Sequence, residues 1–482
     1  MLESIEKQIW NIAQHFPEKT AVICGKKQIS YNGLCSSISA AKDKLTTEYG
    51  LKPSDCLIIA ANKKIEFIYA YFGAHIAGLT VIPVDAQINS ERLQFIVQQT
   101  KPSLAIGLKS TESALPSVEL SEFDIFSSSE WNTPLFINMK SVADIMFTTG
   151  TTGLPKGVPL TFENEAAAAR NINDFIQNTA DDIELLALPI SHSFGLGRLR
   201  CCLSMGSTII MLGSFANIKK IYRTLDEEKV TGFSMVPASW RYLNKMSGTK
   251  LSEYANQLKY IEMGSAFFSA EEKMKLANLL PQTRICMHYG LTEASRSAFM
   301  EFHEDVDHLS SVGKASPYTD IKIMDDQGQE VNSNIEGEIC VKGEHVTSGY
   351  LNTSDNDTFF SGYFRTGDWG YLTTDGYLYL SSRKKDLINV GGKKVSPEEV
   401  EEQIMKVYGV KDCACIATPD PEGMLGEVVK AFIVKESADI TFETIRKQLE
   451  SQLEYYKLPV VWDWIEEIPK TSNGKIQRIL LR

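Results

Sequence analysis

From Ala21 to His288, short apolar runs alternate with longer stretches that read as helices. Ala21-Val22-Ile23-Cys24, Asp55 to Ala61, Leu79 to Val84, Leu104 to Gly107 and Ala143 to Phe147 are strand-like, as are Glu184 to Pro189, Ser207 to Leu212, Gly232 to Pro237, Tyr260 to Gly264 and Ile285 to His288. Among them, Glu66 to Ala77, Ser90 to Thr100, Glu163 to Asn178 and Ile218 to Glu228 read as helices, the second capped by Ser90. Strand–helix–strand repetition at this spacing predicts layered, parallel α/β structure. Open sheets of that kind bind ligands where strand carboxyl ends run into loops. The loops to inspect are therefore Pro189–Gly195, Gly264–Ala266 and Tyr289–Glu293.

The pattern changes near Asp320. Ile321-Lys322-Ile323-Met324, Gly337 to Val341 and Gly376 to Leu380 are short strands separated by turn residues, which predicts a β-rich subdomain over about residues 320–381. Ser382-Arg383-Lys384-Lys385-Asp386 is a charged junction. Beyond it, helices over Pro397–Val407 and Thr441–Glu454 and strands over Cys413–Thr418, Val428–Val434 and Val460–Trp464 predict a small α+β domain of roughly a hundred residues. The expected division is a large α/β domain over residues 1–384 and a small C-terminal domain over 385–482.

At 482 residues the chain is too long for one ordinary core. Its net charge of −12 argues against nucleic acid or an anionic membrane as the main partner. The run from Phe67 to Val84 is broken by Gly73, His75, Gly78 and Pro83, so it reads as a buried helix and a strand and not as a membrane span. None of the nine cysteines forms a Cys-x-x-Cys pair, which removes the zinc-ribbon signal and points to buried, reduced thiols. The N-terminus lacks a basic region followed by an apolar one, so the expected location is cytoplasmic.

The stretch richest in chemistry runs from Phe147 to Val158. Thr148, Thr149, Thr151 and Thr152 alternate with Gly150 and Gly153, and Pro155-Lys156-Gly157 follows. Glycines let the backbone approach a ligand, successive N–H groups form an anion cradle, and Lys156 adds a positive charge. Those features suit a polyphosphate. The GxxxxGK[ST] loop is excluded because Lys156 precedes Gly157. Tyr289-Gly290-Leu291-Thr292-Glu293 follows a strand and by itself reads as a turn and a helix start capped by Thr292. Pro469-Lys470-Thr471-Ser472-Asn473-Gly474-Lys475 carries a turn signal that places Lys475 on an exposed tip.

The order Thr-Thr-Gly-Thr-Thr-Gly-x-Pro-Lys-Gly-Val resembles the phosphate loop of the AMP-forming adenylating enzymes: acyl-CoA synthetases, peptide-synthetase adenylation domains and beetle luciferases. The remaining motifs follow in that superfamily's order, covering residues 10 to 480, and their form is most similar to acyl-CoA synthetases. The resemblance implies that Thr148, Thr149, Gly150, Thr151, Thr152 and Lys156 hold the β- and γ-phosphates of ATP. It implies that Thr292 meets the α-phosphate and Glu293 coordinates Mg²⁺. Gly264, Ser265, Ala266, Tyr289 and Gly290 would line the nucleotide site, and Asp368 and Arg383 would take the ribose. Lys475 would bridge carboxylate and α-phosphate, and Lys385 would be the hinge of a mobile C-terminal domain. Gly391, Gly392 and Lys393 would meet coenzyme A or a carrier-protein phosphopantetheine.

His192, in Pro189-Ile190-Ser191-His192-Ser193-Phe194-Gly195, matches the residue that gates the carboxylate pocket. Amino-acid-activating relatives carry an aspartate in this motif, and its absence here favours an aryl or aliphatic acid. Met287 departs from the usual Asn or Gln, and Ser382 from the usual Gly. The implied reaction is ATP-dependent formation of an acyl-adenylate, then acyl transfer to a thiol, most readily coenzyme A. Transfer to an acyl carrier protein and a luciferase-type oxygenation are the alternatives.

Overall fold

The computed structural model describes residues 2–108, 115–125, 131, 135–148, 155–353, 358–383, 386, 388–390, 393–422, 425–450, 452–471 and 474–481, the side chains of Ser382, Arg383, Asn389, Lys393 and Lys394 excepted. The chain divides into two compact units. The first holds residues 1–150, 154–320 and 341–359, and the second 151–153, 321–340 and 360–482.

The first unit is built on two sheets. In the nine-stranded one, Thr20–Cys24, Thr208–Met211, Ile183–Leu186, Gly232–Met235, Tyr260–Met263 and Arg284–Tyr289 run parallel in that spatial order. Lys27–Ser30 closes one edge antiparallel, and Ala298–Glu301 with Lys314–Ala315 closes the other. In the six-stranded sheet, Ser117–Val118, Leu104–Ile106, Cys56–Ala60, Thr80–Val84 and Val142–Thr148 are parallel, and Lys156–Thr161 lies antiparallel at the edge. The central strands read as continuous apolar runs because helices cover them; Cys56–Ala60 and Thr80–Val84 are almost wholly buried.

The helix Ile65–Ile76 and strand Thr80–Val84 replace any reading of that apolar run as a membrane span, and among the described residues no helix is long and apolar enough to cross a membrane. Two expectations need correction. The helix Ser90–Thr100 is capped by Asn89, whose Oδ1 accepts from Arg92 N at 2.8 Å; Ser90 is the first helical residue. No helix starts at Thr292. Leu291 and Ala294 instead exchange backbone bonds of 3.0 and 3.3 Å in a tight turn that leads into the strand Ala298–Glu301.

The second unit contains most of a five-stranded sheet with Thr319–Met324, Gly337–Gly343, Tyr363–Leu372 and Phe359–Phe360 in order, and Leu378–Arg383 paired to Tyr363–Leu372. Its C-terminal part has the strands Val410–Pro419, Glu427–Lys435 and Val461–Trp464 and the helices Pro397–Met405 and Phe442–Leu449. Their apolar faces meet in a core that includes Val400, Ile404, Cys415, Ala431, Ile433 and Ile445. This mixed α/β architecture, a large sheet-and-helix N-terminal part and a small α+β C-terminal part, is the one expected from the sequence.

Candidate active site

The antiparallel pair Val142–Thr148 and Lys156–Thr161 presents the Thr/Gly loop, with Thr148 opposite Lys156. Thr149, Gly150, Thr151 and Thr152 lie outside the described residues. The first strand is fixed from beneath by Asp144, which is fully buried. Its carboxylate accepts from Tyr71 Oη at 2.9 Å and from Arg200, and meets His75 Nε2 at 3.1 Å. Arg200 also reaches Glu165 Oε1 at 2.8 Å. His75, Asp144 and Glu165 converge as metal ligands do, but Arg200 already supplies the counter-charge to both carboxylates.

The strand Ile183–Leu186 runs into the loop that carries His192, and the helix Ser193–Met205 starts directly after it. His192 is partly exposed at that helix's N-terminus. Arg198 of this helix is wholly buried, with Nε on Glu184 Oε1 at 2.9 Å and 3.6 Å from Glu262 Oε2. Ser193 Oγ lies 3.4 Å from Thr292 Oγ1, so the His192 loop and the Tyr289–Glu293 loop meet.

The strand Tyr260–Met263 ends at Gly264-Ser265-Ala266. A Cβ at Gly264 would lie 2.1 Å from the His288 ring, which leaves room only for glycine. Ser265 and Arg296 adopt left-handed backbone, at φ 73° and 55°, a conformation that residues with a Cβ take at a cost. Met287 and Tyr289, on the neighbouring strand, are buried. Trp240 is 2% exposed and packs within the core.

Arg296, Glu262 and Tyr350 hold these loops in place, and no motif in the sequence singled them out. Arg296 donates from Nε to Glu262 Oε1 at 3.2 Å, from Nη1 to Ser193 O at 3.1 Å and from Nη2 to Phe194 O at 3.0 Å. His288 Nδ1 is 2.7 Å from the same Glu262 oxygen. Burial opposes charge on Glu262, but Arg296 and His288 hold its carboxyl well below the usual range. Burial pushes His288 down, which favours the neutral ring.

Glu293 is 8% exposed, and its Oε1 accepts from Tyr350 Oη at 2.8 Å. Lys156 Nζ sits 4.4 Å from the centre of the Tyr350 ring. A cation and a carboxylate from separate loops thus flank one aromatic side chain. A single carboxylate near a lysine fits Mg²⁺ bound to a phosphate, since the ion takes few protein oxygens and fills its shell from water and phosphate. A cavity of about 20 Å³, enough for one water, adjoins Ser193, Thr292, Ser295 and His345.

In the second unit Asp368 is 8% exposed and stands opposite Arg383 across the strand pair, so the two expected ribose residues share a register. Asp368 N donates to Thr366 Oγ1 at 3.1 Å, and Gly367 supplies the positive φ of 71° that the bend needs. Lys475 is exposed, on a turn where Thr471 N donates to Lys475 O at 2.8 Å. Lys385, Gly391 and Gly392 lie outside the described residues, and Lys393 is placed by its backbone alone, in the strand Lys393–Val395.

A ligase of the AMP-forming, acyl-CoA synthetase type is the class that this fold and these loops define. The chain belongs to the AMP-binding enzyme family: that family matches residues 9–351, and its AMP-binding enzyme C-terminal domain matches residues 399–475. It is 29% identical to an oxalate–CoA ligase of Arabidopsis thaliana over 97% of this chain and 96% of the relative. It is 31% identical to a 2-succinylbenzoate–CoA ligase of Enterococcus faecalis over 83% and 82%.

The o-succinylbenzoate CoA synthetase of Bacillus subtilis in complex with its acyl-adenylate intermediate superposes with a TM-score of 0.89 at 23% identity, covering 98% of this chain and 97% of that one. ATP-bound MatB of Rhodopseudomonas palustris gives 0.90 at 23% identity, covering 100% and 98%. These two likenesses show the fold.

Proposed function

We propose that the chain joins a small aryl or aliphatic carboxylic acid to coenzyme A in two steps, through an acyl-adenylate. The observation that carries this reading is the placement of Lys156 and Glu293 on either side of Tyr350. That arrangement offers one positive charge and one metal-binding carboxylate to the same polyphosphate. The CoA-ligase relatives support coenzyme A as acceptor. The nine free cysteines, seven of them buried, suit a reducing, cytoplasmic setting.

A carboxylate is a weak nucleophile and a poor electrophile. Its oxygen attacks the α-phosphorus of ATP, the bond to pyrophosphate breaks, and the acyl group becomes activated as a mixed anhydride. The chain's part is to position the reactants and offset charge as it develops on the phosphates. Thr148 to Thr152 and Lys156 orient the β- and γ-phosphates, and Thr292 donates to the α-phosphate. Glu293 holds Mg²⁺, which neutralises phosphate charge when bound. Gly264, Ser265, Ala266, Tyr289 and Gly290 line the adenine side. Asp368 accepts from the ribose hydroxyls with Arg383 beside it, a natural reader of a vicinal diol. His192 borders the acid, and Lys475 offsets the approach of carboxylate to α-phosphate. In the second step the thiol displaces AMP, with Gly391, Gly392 and Lys393 on its path and Lys385 as the hinge between steps.

Glu293→Gln tests the reading. Acid-dependent pyrophosphate release falls on the order of 10²-fold, the scale for losing one preorganised electrostatic partner. Unchanged release with unchanged Mg²⁺ dependence overturns the assignment.

A further inference from the structure

Residues 344–351 cross the first unit as a strap between the strand Lys156–Thr161 and the turn at Glu293. On one side Thr347 N donates to Glu293 O at 2.8 Å, and Val346 forms an antiparallel bridge with Ala294. On the other side Leu351 N donates to Gly157 O at 2.8 Å, and Thr347 Oγ1 to Pro159 O at 2.6 Å. The crossing is close at Gly157, where a Cβ would lie 3.2 Å from Leu351 Cβ. Asn164 Nδ2 adds bonds to Glu344 O and Val346 O at 2.7 and 2.9 Å. The strap therefore fixes the backbone next to both Lys156 and Glu293.

Tyr350 carries that backbone arrangement to the side chains. Its hydroxyl donates to Glu293 Oε1, and among the described residues no bond engages Oε2. Its ring lies beneath the Lys156 ammonium. A carboxylate that keeps one oxygen on a fixed donor turns the other in a set direction, and a cation held over a ring face loses little freedom when a phosphate arrives.

We infer that Tyr350 is a positioning residue for Mg²⁺-ATP: it aims Glu293 at the metal through its hydroxyl and Lys156 at the phosphates through its ring. This rests on the proposed roles of Glu293 and Lys156. It assigns the two halves of one side chain to two separable effects, on metal and on nucleotide.

The test uses the full chain and four proteins: wild type, Tyr350→Phe, Tyr350→Leu and Glu293→Gln. Calorimetric titration with ATP in EDTA, and with ATP in excess Mg²⁺, gives each protein's metal enhancement of ATP affinity. Thermal unfolding confirms that each is folded. Tyr350→Phe keeps the ring volume and so keeps the test valid if Tyr350→Leu unfolds.

Tyr350→Phe is expected to cut the metal enhancement about 10-fold, the scale of losing a hydrogen bond to a charged group, with metal-free ATP affinity within two-fold of wild type. Tyr350→Leu is expected to weaken metal-free binding several-fold as well. A metal enhancement in Tyr350→Phe equal to or above wild type, with Glu293→Gln losing it, overturns the role of Tyr350 and leaves Glu293 as the metal residue. Enhancement retained in Glu293→Gln overturns the metal assignment itself.

Discussion

Arg296 donates to Glu262 Oε1 at 3.2 Å, and both side chains are 2% exposed or less. The same guanidinium holds the carbonyls of Ser193 and Phe194, so the turn after Glu293 and the helix start after His192 are tied through one buried ion pair. Removing one partner of such a pair leaves an uncompensated buried charge and costs about 3–5 kcal/mol. Arg296→Met should lose stability on that scale in urea denaturation. Adding Glu262→Gln to it should restore part of the loss, because the orphaned carboxylate is then gone. Equal stability of the single variant and wild type would show that the pair is not the tie described.

A second buried cluster predicts how stability depends on pH. Burial opposes charge on His75, but its hydrogen bonds to Asp144 and Glu6 outweigh burial and raise it from 6.5 to about 10. Arg200 and Glu165 complete the surroundings. The folded value lies above the unfolded one, so the folded chain binds more protons between the two values. The contribution is whole below pH 6.5 and is lost as pH rises to 10. Urea denaturation across that window should show stability falling with pH, and His75→Gln should flatten the slope while lowering stability overall. A slope unchanged by the substitution would assign the pH dependence to other groups.

The sheets were legible because buried parallel strands are written as apolar runs. The helix Tyr31–Asp43 was not, since its Gly33, Ser36, Ser37 and Ser39 give weak propensity; it forms because Tyr31, Leu34, Cys35, Ile38 and Ala41 bury one face. The Thr148–Gly157 and Tyr289–Glu293 stretches stand out in the sequence because close spacing on one loop is itself the signal. Glu262 and Arg296 are 34 positions apart, and only the fold brings them together. Glu293 and Tyr350, 57 positions apart, are such a pair.

Lys475 should separate the half-reactions. It is exposed on a turn of the second unit and is assigned to adenylation alone. Lys475→Ala, assayed with acid and ATP for pyrophosphate, should lose about two or more orders of magnitude. Assayed with ready-made acyl-AMP and CoA for thioester, it should stay near wild type. Equal damage to both would make the lysine structural.

On the proposed function, this chain activates a carboxylic acid with ATP and hands the acyl group to coenzyme A. A panel of aryl, aliphatic and α-amino acids, incubated with Mg²⁺-ATP with and without CoA and analysed for AMP, pyrophosphate and thioester, tests it directly. AMP and pyrophosphate are expected with at least one aryl or aliphatic acid, acyl-CoA only when CoA is present, and no turnover of α-amino acids above background. ADP as product, turnover of an α-amino acid matching the best simple acid, or thioester formed on a holo-carrier protein and not on CoA would contradict it.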